Sequence, residues 1–263
     1  MTQIELKEQQ KILLDIAREF DKVCTTKGIP YYMLGGTMLG AIRHKGFIPW
    51  DDDMDFGVPI EFFPHLIESL RKELPKELRC CTHDNCPSIF YPFIKIENCE
   101  TIIDDKQIPL PVKDKIGINV DVFPLVLCNK NDKEITRLRK ISKICGIIHT
   151  DSRRHGKLVN LAKRILRIIS PLSKDFLYNQ VKKRILHLES GPYLANIMGR
   201  WKFKEIIPYE WYGNNKKYKF EGLELSGIQE YDLYLRNLYG DYMQLPPKNE
   251  QISNHATNAF WKN

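Results

Sequence analysis

Apolar and polar positions follow two different periods along the chain, and they predict a mixture of helices and strands. Within residues 4–26, apolar residues recur at mostly three- and four-residue spacings among charges, which predicts an amphipathic helix. Gly28 and Pro30 predict where this helix ends. The short apolar run at 31–34 predicts a buried strand, and the pattern through Met38, Leu39 and Ile42 predicts a second helix.

Later segments continue the mixture. The patterns predict strands at 54–58, 90–96 and 118–123, a helix at 61–74 and several helices between 133 and 190. We therefore expect an α/β (α+β) protein with a mixed sheet core flanked by helices. The expected divisions are a core at 1–130, a basic helical insertion at 131–200 and an aromatic-rich segment at 201–263 that completes the same domain.

Composition excludes several classes of protein. Hydrophobic residues make up 43% of the 263 residues and charged residues 28%, which is ordinary for a globular protein and argues against disorder. The polar N-terminus lacks the features of a signal peptide and no stretch suits a membrane span, so we expect a cytoplasmic protein. Seven cysteines in such a chain predict reduced thiols. Cys80, Cys81, His83 and Cys86 are zinc-ligand types, but their spacing does not recur downstream.

The net charge of +7 is modest, but positive charge is concentrated in the predicted helical insertion. Between 133 and 167, only Glu134 and Asp151 oppose Arg137, Arg139, Lys140, Lys143, Arg153, Arg154, Lys157, Lys163 and Arg164. Two interpretations stay open: a helix lying on an anionic membrane surface, or a solvated basic face with its apolar side in the core. Nucleic acid is disfavoured, because the aromatic and basic residues lie in different segments.

Four carboxylates crowd one short segment. Asp51, Asp52, Asp53 and Asp55 would repel one another on a half-buried strand unless a cation lies between them. Carboxylate oxygens suit Mg²⁺ or Mn²⁺, and alternate strand positions would direct Asp53 and Asp55 to one face. The alternative is a solvated acidic loop. A calcium-binding EF-hand loop is excluded, because its sixth position would be Phe56 and its twelfth Phe62.

A glycine pair precedes the acidic segment. Gly35, Gly36 and Thr37 stand between the predicted strand and the second helix, where backbone N–H groups and a hydroxyl can bind phosphate at the positive end of a helix. A glycine pair alone more often marks a turn. The chain has neither a GxxxxGK[ST] loop nor a GxGxxG motif, so the commonest nucleotide-binding folds are not indicated.

The long run at 34–55, LGGTMLGAIRHKGFIPWDDDMD, resembles the signature of the LicD family. Lys95 in FIKIE, Asp121 in NVDVFP and the run YGDYMQLPP at 239–247 also match, so the resemblance spans nearly the whole chain. It implies a nucleotidyltransferase fold and transfer of phosphocholine from CDP-choline to a sugar of a bacterial surface polymer, with release of CMP. The acceptor would be such a glycan or its lipid-linked precursor. A lipid-linked acceptor would suit the first interpretation of the basic helical region, in which this cytoplasmic protein is peripheral on the inner face of the membrane.

The resemblance also implies roles for individual residues. Asp53 and Asp55 would be the metal-binding pair, Asp121 the third carboxylate, and Asp51 a further ligand or a base. The expected substrate-binding residues are Gly35, Gly36, Thr37, Arg43, His44, Lys45 and Lys95. For Arg43, His44 and Lys45 the alternative is a favourable position at a helix C-terminus, and for Lys95 an exposed strand lysine.

The head group stays open in the sequence. Related proteins transfer other CDP-activated groups, so phosphoethanolamine, aminoethylphosphonate and polyol phosphate are alternatives, and a non-catalytic glycan- or membrane-binding protein is a further one. Residues 225–228 and Glu97 depart from the family pattern. Aromatic faces would hold a quaternary ammonium, and the candidates are Trp50, Tyr209, Trp211 and Tyr212.

Overall fold

A computed structural model describes residues 1–86, 89, 92–105, 115–149, 156–168, 174–185, 188, 190–253 and 257–262. The helices are α1 (Leu6–Lys27), α2 (Gly35–Arg43), α3 (Phe63–Glu73), α4 (Lys133–His149), α5 (Lys157–Ile168), α6 (Lys174–Ile185), α7 (Tyr209–Tyr212) and α8 (Tyr231–Tyr239). Within these described ranges, no helix is long and apolar enough to cross a membrane.

The strands form two sheets. They are β1 (Gln3–Ile4), β2 (Tyr32–Met33), β3 (Asp55–Pro59), β4 (Leu78–Cys81), β5 (Ile94–Asn98), β6 (Thr101–Asp105), β7 (Asn119–Cys128), β8 (Tyr193–Asn196), β9 (Ile206–Pro208), β10 (Lys216–Phe220), β11 (Leu223–Gly227) and β12 (Thr257–Trp261). The larger sheet runs β10-β11-β2-β3-β7-β5-β4, with β8 beside β7 and β9 beside β8. The smaller sheet has the order β1-β12-β6.

Strand β7 organises the larger sheet. It pairs in parallel with β3 along one edge, and along the other it pairs antiparallel with β5 and then β8. Because β2 is antiparallel to β3 but parallel to β11, the sheet is mixed. This architecture confirms the expected mixed sheet flanked by helices.

The core beside this sheet is aromatic. Phe20 of α1 contacts Tyr31 and Phe56, with ring centroids 5.0 and 4.9 Å apart, and all three rings are buried. Helix α1 ends at Gly28, whose φ of 65° is a left-handed conformation that glycine adopts at little cost. The chain therefore leaves α1 and enters β2 at the centre of the fold.

The structure changes several predicted boundaries. Strand β5 begins at Ile94, four residues later than predicted, and residues 90–91 lie outside the described part of the chain. Gly35 and Gly36 lie in the first turn of α2, so the strand leads into the helix without a separate glycine loop. Strands β1, β4, β6 and β8–β12 were not predicted. These strands have two to five residues each, and several lack a clear alternation of apolar and polar residues. Their formation therefore depends on pairing with other strands in the folded protein.

Helices α4 and α6 pack together near β7, β8 and β9. Their contact forms a second hydrophobic cluster that includes Ile135, Leu138, Val181 and Ile185 with Val126 of β7. Helix α5 contacts α4. The described helices of this region are thus tied to the sheet through α4 and α6.

Candidate active site

Four aspartates meet where β3 begins. The parallel pairing of β3 with β7 places Asp55 directly opposite Asp121 in the ladder. Asp51 and Asp53, from the segment before β3, line the same cleft of about 380 Å³ together with Asp55 and Asp121. The structure therefore brings together the four carboxylates that the family resemblance assigned to the site, Asp51, Asp53, Asp55 and Asp121.

The carboxyl of Asp55 lies in an unfavourable electrostatic position. Burial, followed by the negative charges of Asp53, Asp121 and Glu205, raises the pKa of Asp55 well above its usual range, and Lys95 opposes this shift. Excess negative charge around a buried carboxylate is relieved by a cation. The cleft therefore has the electrostatic character of a cation-binding site.

The N-terminus of α2 approaches these carboxylates closely. A Cβ added to Gly36 would lie 2.8 Å from Asp51 Oδ2, and one added to Gly35 would lie 3.8 Å from Asp55 Oδ2. Gly35 also has a φ of 48°, and its N–H donates a hydrogen bond to Tyr234 Oη at 2.9 Å. Glycine is thus needed here for close approach, and the positive end of the helix faces the cleft.

Thr37 lies behind the cleft. Its side chain is buried, and its Oγ1 accepts a hydrogen bond from the backbone N–H of Asp55 at 2.8 Å. It does not line the cleft. The geometry gives Thr37 a role in placing Asp55, while its contact with phosphate stays a prediction.

Lys95 contacts a carboxylate of the site. It is the ladder partner of Asp121, and its Nζ donates to Asp121 Oδ1 at 2.5 Å and to Asn119 Oδ1 at 2.9 Å. The ion pair is about one quarter exposed, with side-chain exposures of 23% and 24%. Lys95 therefore neutralises part of the acidic cluster, and its direct contact with substrate stays a prediction.

The opposite end of α2 carries Arg43, which is followed by His44 and Lys45. From the rise per residue of a helix, this end lies roughly 12 Å from Gly35. Arg43 donates hydrogen bonds to Tyr242 O at 2.7 Å and to His44 Nε2 at 2.9 Å. Burial lowers the pKa of both side chains. None of the three residues lines the cleft, so the structure does not bring them to the aspartates, and nucleotide contact stays a prediction.

Several residues of the cleft lining were missed in the sequence. Glu205, which is buried, accepts hydrogen bonds from Asn196 Nδ2 and from the backbone N–H of Trp201, both at 2.7 Å. Burial raises the pKa of Glu205 to about 7. The Trp201 ring meets Tyr239 edge to face, with centroids 5.0 Å apart. Tyr239 opens the YGDYMQLPP run, whereas no local pattern marks Glu205 or Asn196.

Helix α1 holds the acidic segment in place. Gln9 Nε2 donates to the carbonyl oxygen of Asp52, and Gln10 Nε2 donates to that of Asp51, each at 2.9 Å. These bonds join residues more than 40 positions apart. The two glutamines therefore act as positioning residues for the backbone that carries Asp51 and Asp53.

The other residues noted in the sequence have structural contacts. Glu97 is buried, accepts a hydrogen bond from Gly117 N–H at 2.7 Å and contacts Arg79. Cys80, Cys81 and Cys86 are buried and form no disulfide, and His83 bonds to Asp175 at 2.9 Å. Nothing in this arrangement resembles a zinc site within the described residues.

The carboxylates of the cleft are suitable ligands for a divalent cation. Among the described residues, no three His, Cys, Asp or Glu side chains are already arranged to enclose a metal ion. Mg²⁺, however, commonly takes one or two carboxylates and completes its shell with water and substrate phosphate. Asp53 and Asp55 fit that pattern. Asp121 would join them only by sharing its carboxylate with Lys95.

The fold and the cleft define a nucleotidyltransferase-type domain, with an acidic pair at a strand start and a glycine-bearing helix end beside it. Residues 28–130 match the family model described as "LicD/FKTN/FKRP, nucleotidyltransferase domain". Residues 28–130 thus match the nucleotidyltransferase domain of the LicD family, which confirms the resemblance seen in the sequence over this part of the chain and indicates a phosphotransferase.

Two kinds of relative bear on the substrate. The chain is 28% identical, over 99% of both chains, to the lipopolysaccharide cholinephosphotransferase LicD of Haemophilus influenzae. It is also 41% identical over 51 residues to the ribitol 5-phosphate transferase FKRP of human and mouse, a match that covers 19% of this chain and 10% of the relative.

Proposed function

We propose that this protein transfers phosphocholine from CDP-choline to a sugar hydroxyl of a bacterial surface glycan or its lipid-linked precursor, with release of CMP. The observation that carries this proposal is the convergence of Asp51, Asp53, Asp55 and Asp121 on one cleft beside the N-terminus of α2. Full-length similarity to a cholinephosphotransferase supports the choice of phosphocholine.

Some residues of the cleft would bind a cation, and others would bind and position the donor. Asp53 and Asp55, with Asp121 as a third carboxylate, would hold Mg²⁺ or Mn²⁺, which when bound supplies charge neutralisation for a diphosphate. Gly35 and Gly36 at the start of α2 line the same cleft, and the positive end of this helix favours anionic oxygens. Catalysis of this kind consists mostly of positioning and electrostatic stabilisation, so losing a carboxylate should matter more than losing any single base.

Proton removal from the acceptor hydroxyl has two candidates. Asp51 lines the cleft beside Gly36, and Glu205, whose pKa is raised to about 7, lines the same cleft. A base whose pKa lies near the working pH is well suited to general-base catalysis. We favour Asp51 as the base because it lies beside Gly36 at the start of α2, and Glu205, whose oxygens accept bonds from Asn196 and Trp201, as a group that positions this part of the lining.

Aromatic side chains near the aspartates support a quaternary ammonium as the head group. Trp50, Trp201 and Tyr239 line the cleft, and the faces of such rings attract a cation by about 0.5–2 kcal/mol. Of the four aromatic candidates from the sequence, Trp50 is the one that lines this cleft. A double contact through Trp50 and Trp201 would favour choline over an uncharged polyol.

Membrane association is a further part of the proposal. On α5, Leu158, Leu161 and Ile165 are exposed to 82%, 54% and 55%, whereas Lys163 is buried. The helix thus turns its apolar face outward, against the usual arrangement. We propose that this face, with the surrounding basic residues, lies on an anionic membrane surface at the inner face of the cell membrane, where a lipid-linked acceptor would be found.

The test is a donor panel. CMP release would be followed with CDP-choline, CDP-ethanolamine and CDP-ribitol, each with a set of hexosamine-containing acceptors. We expect release with CDP-choline to exceed that with the other donors. Preference for CDP-ribitol would replace phosphocholine by a polyol phosphate, the second candidate, which the partial match to FKRP favours. No release with any donor or acceptor would favour a non-catalytic binding role.

A further inference from the structure

A second cavity adjoins the cleft. It has a volume of about 570 Å³ and shares Phe123, Met198 and Gly199 with the lining of the aspartate cleft. Its far side is formed by α4, which contributes Arg139, Lys140 and Lys143. The two cavities therefore have a common wall and opposite charge.

The basic residues of this second cavity share one part of α4. Arg139 and Lys143 are four positions apart, so they lie on the same face of the helix. The Arg139 guanidinium lies 5.3 Å from the centre of the Phe203 ring, and burial lowers its pKa. A half-buried guanidinium held over an aromatic ring is well placed to bind an anion with little loss of side-chain entropy.

The described lining of the second cavity carries a positive excess. The sole acidic residue of α4 is Glu134, which is bound by Arg137 and Arg184. Glu205 also acts electrostatically on Arg139, but its own oxygens accept bonds from Asn196 and Trp201. The described lining of the second cavity thus contains three cationic side chains and no carboxylate, and the rest of that lining is largely apolar.

We propose that this second cavity binds the phosphate group of a phosphorylated sugar acceptor and so orients its hydroxyl towards the aspartate cleft. The inference rests on the proposed transferase function and adds the chemical class of the acceptor. Arg139 and Lys143 would contact phosphate oxygens through charge-assisted hydrogen bonds, and Phe203 and Met198 would contact the apolar face of the sugar. A sugar 1-phosphate and a lipid-linked sugar diphosphate share this chemistry.

The first test measures binding without donor and without divalent cation. The probes are N-acetylglucosamine 1-phosphate, a short-chain polyprenyl diphospho-N-acetylglucosamine in detergent and uncharged N-acetylglucosamine, followed by ligand-observed NMR. We expect at least tenfold tighter binding of a phosphorylated probe than of the uncharged sugar. Preference for the lipid-linked probe would identify a diphosphate acceptor, whereas equal binding of charged and uncharged sugars would overturn the proposal.

Variants locate the binding. Arg139→Ala and Lys143→Ala should each weaken binding of the phosphorylated probe by about tenfold, the effect of one lost charge-assisted hydrogen bond. Lys133→Ala is the matched control, because it removes the same charge from α4 outside the cavity. If Arg139→Ala does not fold, Lys143→Ala still tests the assignment, because Lys143 is exposed. Unchanged affinity in Lys143→Ala would contradict the assignment.

A kinetic measurement separates this inference from the proposed reaction. In the transferase assay, Lys143→Ala should raise the KM for the phosphorylated acceptor and leave the KM for CDP-choline unchanged. A raised KM for CDP-choline alone would assign the cavity to the donor and overturn the inference. Selective binding of sugar phosphate by a protein that releases no CMP would instead uphold the cavity and contradict the reaction.

Discussion

The aspartate cleft and helix α5 both depart from the usual distribution of apolar residues inside a protein and charged residues on its surface. In the cleft the half-buried Asp55 lies among other acids, and on α5 Leu158 and Ile165 are exposed while Lys163 is buried. Each arrangement is costly in water by itself, because buried like charges repel and exposed apolar side chains remain hydrated. We interpret the first as a place for a cation and a diphosphate, and the second as a place for a lipid surface.

The largest effect should follow from a change in the cleft. Asp53→Asn removes one of the proposed cation ligands with little change in shape, so turnover should fall by about 10²-fold or more while the protein stays folded. Asp52→Asn is the matched control, because Asp52 is the neighbouring acid and does not line the cleft. CMP release and thermal unfolding would be measured for both. Equal turnover in the two variants would contradict the assignment of Asp53.

Close approach between α2 and the aspartates gives the next test. Gly36→Ala introduces a methyl group 2.8 Å from Asp51 Oδ2, so we expect displacement of Asp51 and a loss of turnover of about tenfold or more. Gly156→Ala is the control, since a Cβ there meets nothing within 4 Å. Steady-state kinetics of both variants would decide. Full activity of Gly36→Ala would show that the approach is not required.

The proposed contact of α5 with a membrane can be tested by vesicle binding. The double variant Leu158→Glu, Leu161→Glu should bind vesicles containing phosphatidylglycerol at least tenfold more weakly, because each buried leucine contributes about 1.5–3 kcal/mol. Vesicle sedimentation would measure binding, with phosphatidylcholine vesicles as the uncharged reference. Ile252→Glu is the control, since Ile252 is 65% exposed outside the helical region. Equal binding by the double variant and this control would reject α5 as the membrane contact.

The smallest effect concerns the positioning residues on α1. Gln10→Ala removes the hydrogen bond to the carbonyl oxygen of Asp51, so we expect a loss of about 1 kcal/mol in stability and a severalfold lower kcat. Lys11→Ala is a control on the exposed side of the same helix. Calorimetric unfolding and CMP release would be compared. An unchanged kcat in Gln10→Ala would limit the role of Gln10 to stability.

Local patterns were sufficient for one side of the active site. The period of apolar residues predicted α1 and α3 to within a few residues, and the order strand, helix, acidic strand placed Gly35, Gly36, Asp53 and Asp55 together. Asp121 was added by the resemblance to the LicD family, and the register of its strand with β3 brings it opposite Asp55.

The other side depended on contacts between distant segments. Glu205 and Asn196 belong to short segments after α6, and their bonds form only when β8 and β9 join the sheet. The outward apolar face of α5 was also not decided by periodicity, because an amphipathic pattern does not specify which face meets the protein. Arg43 and His44 show the converse, since proximity in sequence to the glycine pair did not place them in the cleft.

The most direct test of the central claim is CMP release from CDP-choline as a function of divalent cation. The protein would first be treated with a chelator, and Mg²⁺ or Mn²⁺ would then be added back in increasing amounts with a hexosamine acceptor present. We predict no release above background in chelator and a saturable recovery with either cation. Release at the full rate in chelator would contradict the account, because the aspartate cleft would then act without the cation that its charges require.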